Sequence, residues 1–123
     1  MSVREIIRAN NDKWNAAFNG GDAAAVAAFY TADATVLPHT HDVVRGAVAI
    51  REFWKSVIDG GFRNHSIELI DVHAQGDLAV EIAKWEAEGP GEGGNRQAFG
   101  GSLVNVFERQ SDGSWKCRLH IWN

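Results

Sequence analysis

The chain has a single cysteine, Cys117, so no disulfide can form within it. Its aliphatic neighbours Leu119 and Ile121 make that thiol read as a small core hydrophobe. Positive charge is not in excess: 12 Lys+Arg stand against 16 Asp+Glu, a formal net charge of -4. Without a basic footprint, nucleic acid is not an expected partner. Long apolar runs are missing too. Met1 to Phe18 is amphipathic with charges throughout, which argues against a signal peptide or a membrane span and for a cytoplasmic location. There is no linker, internal repeat or heptad, and 123 residues suffice for one core and not two, so a single domain over 1–123 is expected. Gly91, Gly93 and Gly94 do not follow the order of a phosphate loop and lead into a strand instead of a helix, which excludes nucleotide cradling.

What is present is an ordinary globular balance, 45% hydrophobic and 23% charged, with a surplus of large aromatics. Five tryptophans and six phenylalanines either fill a core or line a ligand cavity, and composition does not separate the two.

The order of elements is helices first, then strands. Ser2 to Glu5 has capping-box spacing, Ser-x-x-Glu. Val3, Ile6, Ile7, Asn10, Trp14, Ala17 and Phe18 then fall on one helical face, and Asn19-Gly20-Gly21 stops the helix. Asp22 is a natural N-cap for a second, alanine-rich helix through about Tyr30. Thr35 to Leu37 and Val43 to Arg45 read as a short hairpin around Pro38 to Asp42. A third helix is expected from about Ala47 to Ile58, ended by Gly60-Gly61. Four strands follow: Asn64 to Ala74, Leu78 to Glu88, Gln97 to Arg109 and Trp115 to Trp122. Their connections carry turn chemistry at Gln75-Gly76-Asp77 and Ser111-Asp112-Gly113. Gly89 to Asn95, rich in glycine, reads as a mobile hairpin loop. The pattern predicts an α+β domain, with helices laid across one face of a curved antiparallel sheet.

The last strand has the most unusual pattern. Strict alternation puts Cys117, Leu119 and Ile121 on one face and Arg118, His120 and Trp122 on the other. The second set makes sense as the wall of a semi-polar pocket. The aliphatic face would then be covered by something else, such as a second subunit.

Trp14, Gly21-Asp22, Phe29-Tyr30, Ala32-Asp33-Ala34-Thr35-Val36, Gly46, Ile50-Arg51-Glu52-Phe53-Trp54, Gly76-Asp77 and Asp112-Gly113-Ser114-Trp115-Lys116 together resemble the nuclear transport factor 2-like (NTF2-like, cystatin-like cone) superfamily. The likeness is to its SnoaL-like and ketosteroid-isomerase-like small proteins. It implies an α+β fold of three N-terminal helices packed across a curved, mostly antiparallel sheet forming a cone with an internal pocket, while the superfamily hosts isomerases, dehydratases, cyclases, epoxide hydrolases and association domains. Placed on this chain, the tyrosine donor of ketosteroid isomerases falls on Trp14, their aspartate base on Pro38 and their protonated aspartic acid on Asn105. Only Asn105 keeps a comparable role, so isomerase activity of that kind is not expected.

The same register implies that Gly101, Leu103, Asn105 and Phe107 face the cavity with Arg118, His120 and Trp122. His120 then stands as the candidate catalytic proton shuttle, with Asn105 and Arg118 polarising a carbonyl or holding an enolate. Trp14, Tyr30, Leu37, Trp54, Leu103 and Trp122 are the expected ligand-binding walls, with His39 near the mouth. The alternative is that Arg118 and His120 pair with acidic residues such as Glu81 or Glu86 and only line the cavity. On the strand Leu78 to Glu88, either Glu81 with Trp85 or Lys84 with Glu86 faces inward. His39 and His41, with Asp42, supply two imidazoles on one short loop and no visible third ligand, so no metal site is assigned. His65 and His73 are expected at the surface or an interface. Nothing in the sequence would hold a flavin or a nicotinamide, and no cofactor is implied. The expectation is a homodimer, paired through the outer sheet face, that binds a small, mostly apolar carbonyl or hydroxyl compound. Acid–base chemistry and a non-catalytic binding or dimerisation role both remain open.

Overall fold

The computed structural model describes residues 1–123. Helix α1 spans Val3–Asn19 and begins at the expected capping box: the Ser2 hydroxyl accepts from the Glu5 amide at 3.1 Å, and the Glu5 carboxylate accepts from the Ser2 amide at 3.3 Å. It ends at Gly20-Gly21, where Gly21 takes φ +74°, a conformation that costs glycine nothing. Asp22 caps α2, accepting from the Ala25 amide at 3.0 Å.

Helix α2 covers only Ala23–Ala27, shorter than the alanine run predicts. Phe29 and Tyr30 leave the helix because the sheet claims their backbone: the Cys117 amide donates to the Phe29 carbonyl at 2.8 Å. Tyr30 is therefore the first residue of β1, Tyr30–Leu37. Strand β2 is Val44–Arg45, and α3 runs Ala47–Asp59 behind Gly46, whose φ of +86° only glycine adopts freely. Strands β3 (Arg63–Gln75), β4 (Leu78–Pro90), β5 (Arg96–Arg109) and β6 (Trp115–Trp122) match the periodicity closely. The β4–β5 ladder runs on to Pro90↔Arg96, with one 3₁₀ turn at Glu92–Gly94, so the glycine-rich connection is tighter than expected.

The six strands form one sheet in the order β2-β1-β6-β5-β4-β3. All neighbours are antiparallel except β1 and β6, which run parallel. The helices pack across one face, and the sheet curls toward them into the cone of the NTF2-like, cystatin-like architecture. Ile7, Trp14 and Phe18 of α1, Val26 of α2, and Ile50 and Trp54 of α3 meet Ala34, Val36, Ala79, Phe107, Trp115 and Cys117 of the sheet in one core.

One irregularity decides where the functional side chains go. Between β5 and β6 the pairing passes from Phe107↔Cys117 to Val106↔Leu119, so Arg118 is an extra residue in a β-bulge. Strict alternation fails there. Cys117 points into the core and His120 is buried as well, while Arg118 is turned out to solvent.

Candidate functional site

The sheet and helices leave two chambers, whose walls share His65, Leu103 and His120. The deeper holds ≈ 30 Å³, room for no more than a water or two. The outer holds ≈ 310 Å³, within the range of small-ligand pockets. Its walls come from α3 (Phe53, Trp54, Val57), from Phe62 and β3, from Trp85 and Ala87 of β4, and from Trp122 of β6, with Pro38, His39 and Thr40 beside them.

The deep end is polar. Glu81 of β4 is 0% exposed and accepts from the side-chain amides of Asn11 on α1 and Asn105 on β5, the latter at 3.0 Å. Burial pushes its carboxyl above the usual carboxylate range, and the two amide donors partly offset that. The Cys117 thiol lies 3.5 Å from the Asn105 carbonyl oxygen, and burial with the nearby Glu81 charge raises it far beyond a reactive thiol.

Next to this lies a relay of three rings. The Trp14 indole N–H donates to the Tyr30 hydroxyl at 3.3 Å, and Tyr30 Oη is 2.8 Å from His120 Nδ1. Burial holds Tyr30 well above an ordinary phenol. The His120 ring stacks on Trp54 at 5.8 Å and packs on Trp122 at 4.7 Å. Burial, with repulsion from His65, lowers its value to about 3. The imidazole is therefore neutral across the physiological range.

Of the predicted site residues, Asn105, His120, Trp14, Tyr30, Trp54, Leu103 and Trp122 all line these chambers, and exposed His39 lies on the outer one. Two do not. Arg118 has a side chain 51% exposed and pairs with Glu108 at 3.0 Å and Asp33 at 3.9 Å, because the bulge turns it outward. Leu37 lies between Val36 and Pro38, both buried, and pairs with exposed Ile121, so it belongs to the outer face. The ambiguity on β4 resolves to Glu81 with Trp85 inward and Lys84 with Glu86 exposed.

Other wall residues escaped the sequence reading. His65, expected at the surface, is packed against Trp14 at 4.8 Å, Phe18 at 5.3 Å and Trp85 at 6.0 Å, and burial lowers it to about 4. Its signal was the alternation His65, Ile67, Leu69 along β3. Asn11 sits between Ile7 and Trp14 on the apolar stripe of α1, a polar residue where the period asks for an apolar one. Trp54 and Trp85 each bury an indole N–H that has no partner.

The profile of the SnoaL-like domain matches residues 12–117. The chain belongs to the SnoaL-like domain family. Solved structures agree on the fold of this SnoaL-like domain. A ketosteroid isomerase-like protein from Erwinia carotovora atroseptica superposes with a TM-score of 0.83 at 21% identity, covering 96% of this chain and 92% of its own. A domain of unknown function with a cystatin-like fold from Nostoc punctiforme gives 0.83 at 18% identity, covering 100% and 78%. An NTF2-like superfamily protein from Salmonella enterica serovar Typhimurium gives 0.80 at 14% identity, covering 99% and 92%. No protein with a curated description matches the chain. No helix of this SnoaL-like domain is long and apolar enough to cross a membrane.

Half-buried His65 and buried His120 contribute to the acid response of the SnoaL-like domain. Their folded values lie below the 6.5 of an unfolded histidine, so the unfolded chain takes up protons first as pH falls. Their stabilisation is complete above about pH 6.5 and is lost as pH drops toward 4 and then 3. Glu81, with its raised value, acts the other way: acid favours its folded form and stability falls as pH rises through that value. Two protons against one leaves a net loss on acidification. Urea midpoints should fall between pH 6.5 and pH 5, and His65→Phe should flatten that slope; equal slopes would show that His65 is already charged in the folded protein.

Proposed function

We propose that this SnoaL-like domain binds one small, largely apolar molecule with a carbonyl or hydroxyl group in its outer chamber, and acts on it by cofactor-independent acid–base chemistry. One observation supports this above the rest: an aromatic chamber of ≈ 310 Å³ with the buried imidazole of His120 in its wall. Trp54 stacks on Trp122 at 5.3 Å and Phe53 packs on both, so a flat apolar ring system meets flat walls. Arg118 has no part in this reading, since its guanidinium is engaged outside.

The bicyclic ketone 2-tetralone is a suitable probe. It should quench tryptophan fluorescence saturably. Leu103→Trp, at a buried position shared by both chambers, should weaken binding about a hundredfold, roughly 2.7 kcal/mol. Equal binding by that variant, with its fold intact by circular dichroism, would place the ligand elsewhere.

The outer sheet face supports a proposal of self-association. Leu37, Ile121, Val104 and Ile82 stand in one row across β1, β6, β5 and β4, and Ile121 and Ile82 are each 40% exposed. Pairing two such faces would bury these rows. Light scattering should give about twice 13.5 kDa, falling to the monomer mass for Ile82→Glu; a monomeric parent protein would remove the pairing.

A further inference from the structure

The inner face of β4 loses bulk toward its end, running Trp85, Ala87, Gly89. Trp85 and Ala87 line the outer chamber; Gly89 is buried too but lies outside it. The room over Gly89 is taken by Phe62, the last residue of the connection between α3 and β3. A Cβ at position 89 would stand 2.5 and 2.8 Å from Phe62 Cε1 and Cδ1, and 2.8 Å from Phe99 Cε2. Carbon atoms do not approach so closely, so only glycine leaves this notch open. Phe62 and Phe99 meet across it with ring centroids 5.3 Å apart and planes tilted by 58°. Phe62 lines the outer chamber and Phe99 does not, which makes the Phe62 ring the partition between chamber and notch.

We propose that Gly89, though it lies outside the chamber, determines the size of ligand the chamber accepts: its missing side chain lets Phe62 stand back, admitting two fused rings where a side chain at 89 would leave room for one. This rests on the binding reading above. A methyl group at 89 would have to move the Phe62 ring until 2.5 Å became at least 3.4 Å, an ordinary contact. Phe99 closes the notch side of that ring, and the open space lies on the chamber side. The displaced ring therefore moves into the ≈ 310 Å³ that a ligand would use. Close-packed walls pass such a displacement on instead of absorbing it, so a loss of this size is felt by a ligand that fills the space and not by a smaller one. Gly89 and Phe62 are specificity-determining residues on this account, and neither takes part in any chemical step. The same geometry sets the upper limit. With Phe62 in place the chamber ends at its ring, and a three-ring ligand meets that ring edge-on or face-on with nowhere to extend.

Two substitutions test the partition from its two sides, with calorimetric titration as the readout and circular dichroism as the check on folding. Gly89→Ala should lower the preference for two-ring 2-tetralone over one-ring cyclohexanone about tenfold. Phe62→Ala removes the ring without touching the strand, and should raise affinity for three-ring anthrone relative to 2-tetralone about tenfold. The double variant should bind as Phe62→Ala alone does, because the added methyl group then has no Phe62 ring to push. An unchanged preference in either single variant would overturn the proposal. So would a loss in the double variant equal to that of Gly89→Ala, which would place the effect in Phe99 or in the strand itself. If Gly89→Ala does not fold, the Phe62→Ala result decides alone. Binding of 2-tetralone by the parent protein with unchanged preferences in the variants would overturn the partition and leave the binding reading standing. Binding of neither 2-tetralone nor cyclohexanone by the parent protein would overturn both.

Discussion

The architecture depends on a buried carboxyl. Glu81 sits where α1 crosses the sheet, without access to water, and is held by one amide from the helix and one from β5. A polar group so placed is tolerated only when its partners are in position, which makes the contact specific where apolar packing would be permissive. Sliding α1 by one residue would take Asn11 out of reach and leave the carboxyl unpaired. The same clamp sets the side-chain orientation of Asn105, and through it the Cys117 thiol. Above this fixed floor the helix delivers Trp14 to Tyr30, and Asn15 to His65. The polar end of the cavity is thus a consequence of how the helix is registered on the sheet.

Much of the fold was legible because its signals are local. The Ser2–Glu5 box, the Asp22 cap, the glycine stops and the strand alternation each need only a few residues to be recognised, and the ends of α1, α3 and β6 fall within a residue of expectation. The site was legible in part, and its errors share a cause. A bulge is a property of two paired strands, so nothing within Trp115–Trp122 announces that Arg118 is the extra residue. That one shift exchanged Arg118 and Cys117 between faces. Leu37 was lost to the alternation of β1, and α2 was shortened by a backbone bond from β6 that its alanines do not reveal. His65 was missed although it alternates with Ile67 and Leu69; the curl of β3 toward α1 presses it against Trp14 and Phe18.

Membership in the SnoaL-like family fixes the cone and not the chemistry, and the structural relatives at 14–21% identity speak for the fold alone. What individualises this cavity beyond its shape is its set of ring nitrogens: His65 Nδ1 lies against Asn15, His120 Nδ1 against Tyr30, and the indole N–H groups of Trp54 and Trp85 have no partner.

The most direct test of this account is a crystal structure of the protein with 2-tetralone bound. The rings should lie in the outer chamber against Trp54 and Trp122, with the carbonyl oxygen turned inward toward His120. A chamber closed by its own aromatic side chains, or a ketone bound with its oxygen toward the mouth and both imidazoles unvisited, would contradict it.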